Sequence, residues 1–261
     1  MSWDFATATH IGGRAEQQDR VSVIRSERNA GRLVIVADGM GGHEGGAVAA
    51  QQVVDTAAWA FRHTTIERPR VFFERVCLDA HENILASDRA GRARPGSTCA
   101  LLYLVASEAY WAHVGDSRLY HFSAEEIHTR TEDHSLAALS ASGTRAAGRP
   151  DDPETGQLYM CLGGRNRVSP DFAASAVDAD DWFMLCSDGF WTRVDAREAA
   201  QTVKATPSLA AAAETLVELA CRRGGANGDN VSLALARRSS RRRGWASLVQ
   251  VFSTARKTGS G

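Results

Sequence analysis

Hydrophobic and polar positions alternate along this chain in short blocks, most of them apolar or two-periodic and bounded by Gly, Asp or Asn. That pattern predicts strands over 21–24, 33–37, 98–105, 110–114, 119–122, 158–162, 172–177, 182–186 and 231–236. A helical period appears over 45–62, with Val48, Val53, Val54, Ala57, Ala58 and Phe61 on one side. Further helices are expected over 71–87, 196–203 and 209–221. The strands come in consecutive runs and do not alternate strictly with helices, which argues against a doubly wound parallel sheet. An α+β fold, with two antiparallel sheets packed face to face and helices on both outer faces, fits the count. Between two ordered stretches, 137–157 holds the polar, turn-rich run SASGTRAAGRPDDPETG. A loop this long inside a compact domain is usually functional or mobile.

Composition narrows the class. The 261 residues are 44% hydrophobic and 23% charged with a formal net charge of −1, so nothing global favours nucleic acid or another polyanion as partner. No apolar stretch reaches the ~18 residues of a membrane span, and MSWDFATATH lacks the apolar core of a secretory signal. The five cysteines (Cys77, Cys99, Cys161, Cys186, Cys221) form no C-x-x-C pair. An odd, scattered set reads as reduced thiols in a cytoplasmic protein. None is followed by an Arg-terminated phosphate loop, which excludes a cysteine-nucleophile phosphatase.

The chemistry lies in the aspartates. Asp38, Asp188 and Asp229 each sit at the tip of an apolar run and are followed at once by Gly or Asn, and Asp116 repeats the pattern in AYWAHVGDSRL. One Asp-Gly is most simply a β-turn. Four of them at four strand tips are what a cluster of hard cations needs, because Mg²⁺ and Mn²⁺ take carboxylate, carbonyl and water ligands and Gly lets a carbonyl approach closely. Three rival signatures fail. Gly39-Met-Gly-Gly-His-Glu44 puts Glu where a dinucleotide loop needs its third Gly. Asp178-Ala-Asp180 is followed by Trp182 where an aspartyl-nucleophile enzyme has a small residue. There is no G-x-S-x-G elbow.

The ordered motifs RAEQQD (14–19), DGMGGH (38–43), GST (96–98), GDSR (115–118), TEDHS (131–135), LGG (162–164), SDG (187–189) and GDNVS (228–232) resemble the metal-dependent protein serine/threonine phosphatases, the PPM or type 2C class, in their bacterial form. The resemblance runs from about Ala6 to about Arg237. It implies an αββα sandwich, a phosphatase domain over 1–238 and a separate tail over 239–261. It also implies two Mn²⁺ or Mg²⁺ ions in the core and a weaker third. Asp38 would bridge the two ions while the Gly39 carbonyl coordinates one of them. Asp188 and Asp229 would complete the first shell, Asp19 would hold metal-bound water near the second ion, and Asp116 would share the third with Asp188. Where the family often has Glu before the Asp19 position, this chain has Gln18. Arg14 would clamp the phosphate, its planar fork matching two oxygens.

By the same resemblance Arg14 and Asp38 are catalytic. A hydroxide bridging the two metals attacks phosphorus directly, without a phosphoenzyme. The partners implied are proteins phosphorylated on Ser or Thr, and a cognate Ser/Thr kinase. The flap over 137–157 would face substrate. Met40 stands where eukaryotic members often have His, leaving His43 or a metal-bound water as general acid, and His134 reads as structural. The alternative is a catalytically weak member acting as a regulatory binding module, against which the complete carboxylate set argues. A two-metal nuclease lacks the basic, aromatic-lined surroundings a nucleic-acid strand would want. Beyond the core, RRSSRRR (237–243) precedes Trp245, Leu248, Val249 and Phe252 at i, i+3, i+4 and i+7. Such a basic amphipathic tail suits a protein partner, the domain itself or an anionic membrane face.

Overall fold

The computed structural model describes residues 3–41, 45–88, 95–141 and 157–238. The chain begins with β1 (Trp3–His10), β2 (Arg20–Ile24), β3 (Arg32–Ala37) and the two-residue β4 (Gly39–Met40). Two helices follow, α1 (Gly45–His63) and α2 (Pro69–Ser87). Next come β5 (Gly96–Ser97), β6 (Cys99–Val105), β7 (Glu108–Val114), β8 (Arg118–Ser123), β9 (Glu126–Arg130) and the short α3 (Leu136–Ala141). The last third holds β10 (Asp171–Ala176), β11 (Asp181–Cys186), α4 (Asp188–Trp191), α5 (Ala196–Ala205), α6 (Leu209–Gly224) and β12 (Val231–Arg238).

Two five-stranded antiparallel sheets result, ordered β1-β12-β11-β8-β9 and β10-β7-β6-β3-β2, with β4-β5 as a two-stranded ribbon. The layering follows from the two-residue period of a strand. In β3, Leu33, Ile35 and Ala37 pack with Val53, Phe61, Phe73 and Ile84 of α1 and α2, while Val34 and Val36 face the opposite sheet. In β12, Val231, Leu233 and Leu235 face Leu216 and Val217 of α6, while Ala234 and Ala236 enter the inter-sheet layer. Strands covered on both faces are therefore apolar throughout. The order helix layer, sheet, sheet, helix layer is the expected αββα sandwich. Helix starts carry local signals: Pro69 opens α2, Asp195 accepts from the Arg197 N–H at α5, and Ser208 accepts from the Ala211 N–H at α6.

Several expectations need correction. The run 158–162 is not a strand; Leu158 and Leu162 make isolated bridges to Ser135 and Ser97. β1 and β9 were not expected, and both lie at sheet edges with largely exposed side chains. Val48 is 45% exposed and does not join the buried face of α1, which Ala49, Ala50, Val53, Ala57 and Phe61 form. The expected loop over 137–157 opens with α3; its residues 142–156, like His43 and the tail 239–261, lie outside the described residues. All five cysteines are free, three of them buried.

Candidate metal centre and phosphate site

Antiparallel pairing brings the carboxylates to one pole. Asp38 follows β3, Asp116 follows β7 and Asp188 follows β11, whereas Asp19 precedes β2 and Asp229 precedes β12. Asp229 thus stands at the start of a strand, not at its end as expected. Because Ala37 pairs with Arg20, and Cys186 with Leu233, the end of one strand lies beside the start of the next. Both sheets contribute. A cavity of ≈ 760 Å³ opens there, lined by Arg14, Asp38, Gly39, Asp116, Asp188 and Asp229 among others. Asp19 lies beneath, 2% exposed, and accepts from the Ser187 hydroxyl at 2.7 Å.

Local hydrogen bonds hold each group. The Asp38 N–H donates to Thr98 Oγ1 (2.9 Å), and the Asp38 carbonyl accepts from the Thr98 N–H (2.8 Å). Gly39 must be Gly: a Cβ there would lie 2.0 Å from the Gly46 carbonyl oxygen and 2.8 Å from that of Gln18. Asn230, given no role by the sequence reading, organises the loop that carries Arg14. Its Oδ1 accepts from the Gln18 N–H (2.8 Å), and its Nδ2 donates to the carbonyls of Ile11 (2.8 Å) and Glu16 (3.0 Å). Arg14, its side chain 58% exposed at the mouth, donates from Nη2 to Asp229 Oδ2 at 2.6 Å. Met40 lines the cavity, and no described lining residue is a histidine.

Negative charge is concentrated and only partly offset, by Arg14 at Asp229 and by Arg118 near Asp116. Burial, reinforced by the charges of Asp188 and Asp229, pushes Asp19 up to about 6, although its bond from Ser187 opposes this. Burial, then repulsion from Asp188 and Asp133, pushes Asp116 up to about 7. Asp38 is raised well above the carboxylate range by burial and by Asp19, Asp188 and Asp116. Asp188 is raised by burial and by Asp229. Asp19 Oδ1 and Asp188 Oδ1 are buried without a hydrogen-bond partner. Orphaned carboxylate oxygens in a crowded anionic pocket fit hard divalent cations.

Comparison with known proteins agrees with this geometry. The family model "Protein phosphatase 2C" matches residues 7–221. Protein phosphatase PhpP of Streptococcus pneumoniae is 32% identical over 241 residues, spanning 89% of this chain and 96% of its own. The S. agalactiae serine/threonine phosphatase superposes with a TM-score of 0.83 at 25% identity, over 91% of this chain and 100% of that one. The catalytic domain of serine threonine protein phosphatase PstP, solved in complex with two manganese ions, gives 0.74 at 27% identity, over 90% and 97%. Fold, carboxylate pole and relatives agree, and this chain belongs to the protein phosphatase 2C family of metal-dependent serine/threonine phosphatases.

Proposed function

We propose that the cavity between the two sheets is the catalytic centre, where Asp38 would serve both of two cations, the Gly39 carbonyl one of them, Asp188 and Asp229 would complete the shell of the first, and Asp19 would hold water near the second. Asp116, with Asp188, serves a weaker third. The observation that carries this reading is the convergence of five carboxylates, two with buried unpartnered oxygens, beneath the Arg14 guanidinium. When bound, Mn²⁺ or Mg²⁺ supplies a water-derived nucleophile near neutral pH and neutralises phosphoryl charge.

The chain's own residues do the rest. Arg14 receives the phosphate: its guanidinium reaches the cavity mouth, and its pairing with Asp229 pre-orients the fork toward incoming oxygens. Thr98, by holding both the N–H and the carbonyl of Asp38, fixes the direction of that carboxylate. Asn230 couples the Arg14 loop to the start of β12, so phosphate clamp and Asp229 move as one unit. The cavity is open enough for a side chain on a protein surface, which suits phosphoserine and phosphothreonine. The opposing partner is a Ser/Thr kinase. The free thiols support a cytoplasmic location, and no helix among the described residues is long and apolar enough to cross a membrane. The basic sequence over 237–243 and the apolar residues that follow it would suit contact with a partner or an anionic surface.

The test is hydrolysis of a phosphothreonine peptide and of p-nitrophenyl phosphate. Both should require Mn²⁺ or Mg²⁺ and stop in excess chelator, with Ca²⁺ a poor substitute. Undiminished turnover in chelator refutes the metal mechanism.

A further inference from the structure

Below the Asp116 turn lies a cluster the reaction does not use. His113 and His134 are buried and stacked, ring centroids 4.6 Å apart, and Asp171 reaches them from the start of β10. Their ligand-type atoms lie within 4.8 Å of one another, which suggests a further metal site. The hydrogen bonds argue otherwise. His134 Nδ1 accepts the Gly115 N–H (3.2 Å), so its proton is on Nε2, which faces Asp171 Oδ2 at 3.4 Å. Neither nitrogen of His134 is then open to a cation. His113 Nε2 donates to the Glu132 carbonyl at 2.7 Å, leaving only its Nδ1.

What the cluster does hold is the backbone of one residue, Gly115. His134 accepts from the Gly115 N–H through its ring and donates its own N–H to the Gly115 carbonyl at 3.0 Å. The next carbonyl, that of Asp116, accepts from Trp191 Nε1 at 2.9 Å. Gly115 has φ +96°, and a Cβ there would lie 2.7 Å from Thr98 Cγ2. Glycine is therefore required at a turn where it imposes little of its own rigidity. Stiffness must come from outside, and His134 supplies it on both sides of one residue.

We propose that His134, oriented by Asp171, is a positioning residue that fixes the Gly115–Asp116 turn and so sets how tightly Asp116 holds its cation. Asp171 faces the Nε2–H as its acceptor and thereby keeps the Nδ1 lone pair on the Gly115 side, as carboxylates do for histidines at metal sites. Burial holds His134 below the ordinary histidine range, which favours the neutral ring this requires. The inference rests on the proposed role of Asp116 as a ligand.

The test compares Mn²⁺ titration calorimetry of the full chain with Mn²⁺ activation of p-nitrophenyl phosphate hydrolysis. His134→Gln puts its polar group near the Nε2 position and strands the Gly115 N–H; His134→Asn puts an acceptor near the Nδ1 position. His134→Gln should weaken the weakest Mn²⁺ binding event about tenfold, as loss of an outer-shell partner does. His134→Asn should recover to within about threefold, and kcat at saturating Mn²⁺ should change less than about twofold, because the turn is displaced and no ligand is lost. Equal loss in both variants, or no loss in His134→Gln, overturns the proposal. If His134→Gln fails to fold, Asp171→Ala, whose native side chain is 64% exposed, decides. It should shift the same binding event, and an unchanged titration overturns the proposal. Asp116→Asn separates the two levels. If it too leaves binding unchanged, the ligand assignment and the proposal fall together. If it alone removes an event, only the positioning role falls.

Discussion

Replacing Asp116 by Asn should stabilise the metal-free protein while weakening its use of metal. The shapes are nearly identical, so the change is chiefly one of charge. In the metal-free state burial and the neighbouring Asp188 and Asp133 push the Asp116 carboxyl from 3.8 to about 7. At about 1.4 kcal/mol per tenfold, ionising it at pH 8 opposes folding by about 4 kcal/mol, an upper figure because the group is only half-buried beside open solvent. A net gain of about 1–3 kcal/mol for Asp116→Asn is expected, or roughly 3–8 °C in Tm for a domain of this size. The sign follows from proton binding. A carboxyl raised in the folded state holds more protons there than when unfolded, so metal-free stability falls as pH rises from about 4 to about 7. At pH 5 the folded carboxyl is protonated but the unfolded one is already largely ionised, so the gain should shrink to under half of its pH 8 value, and the two proteins should melt together only below about pH 4. The assay is thermal melting in chelator at pH 5 and pH 8, repeated with saturating Mn²⁺, where the gain should shrink or reverse. A variant melting at or below wild type in chelator at pH 8, or an equal gain at pH 5, refutes the electrostatic account.

Three further outcomes follow from the site. Asp188→Ala should lower kcat by about three orders of magnitude, since it removes a buried ligand whose Oδ1 has no other partner; near wild-type rates refute the ligand role. Arg14→Ala should raise KM for phosphopeptide and also lower kcat, and Arg14→Lys should recover only part, because a point charge cannot replace the fork. Full rescue by Lys excludes two-oxygen contact. Gly39→Ala should cost at least the ~1–3 kcal/mol of ordinary overpacking, because the atoms crowding its Cβ are backbone at the start of α1; an unchanged denaturant midpoint refutes the packing argument.

The central strands were legible because they are buried on both faces. Leu33–Ala37 and Trp182–Cys186 must be apolar at successive positions, since alternate residues meet a helix layer and the other sheet. The edge strands were not legible. Of Trp3–His10 only Ala6 is fully buried, with Trp3, Phe5 and Ala8 half-buried against the core, and Glu126–Arg130 has no buried residue, so the side-chain signal of both is weak beside that of the central strands. The apolar run Leu158–Leu162 misled in the opposite sense, since its ends bridge two different segments and no ladder forms. At the site, Asp38, Asp116 and Asp188 announced themselves by the residue that follows each. Asn230, Thr98 and His134 did not, because their work is done on residues 19 to 219 positions away. A polar residue where a strand begins was the one available hint.

The contributions of both sheets to one pole bear on the mechanics of the sandwich. At the far end the layers are joined by aromatic bulk: Phe183, beside Trp3 (6.1 Å) of its own sheet, lies 6.5 Å from Trp111 of the other. At the near end Asp19, Asp38 and Asp116 from one sheet face Asp188 and Asp229 from the other, and like charges push the layers apart. The molecule resembles a book bound by grease at the spine and clasped by ions at the fore-edge. Withdrawal of metal should loosen only the clasp, so amide exchange should quicken around 38, 116 and 188 while the spine keeps its protection. An enzyme built this way couples the availability of its cofactor to the stiffness of its own active end.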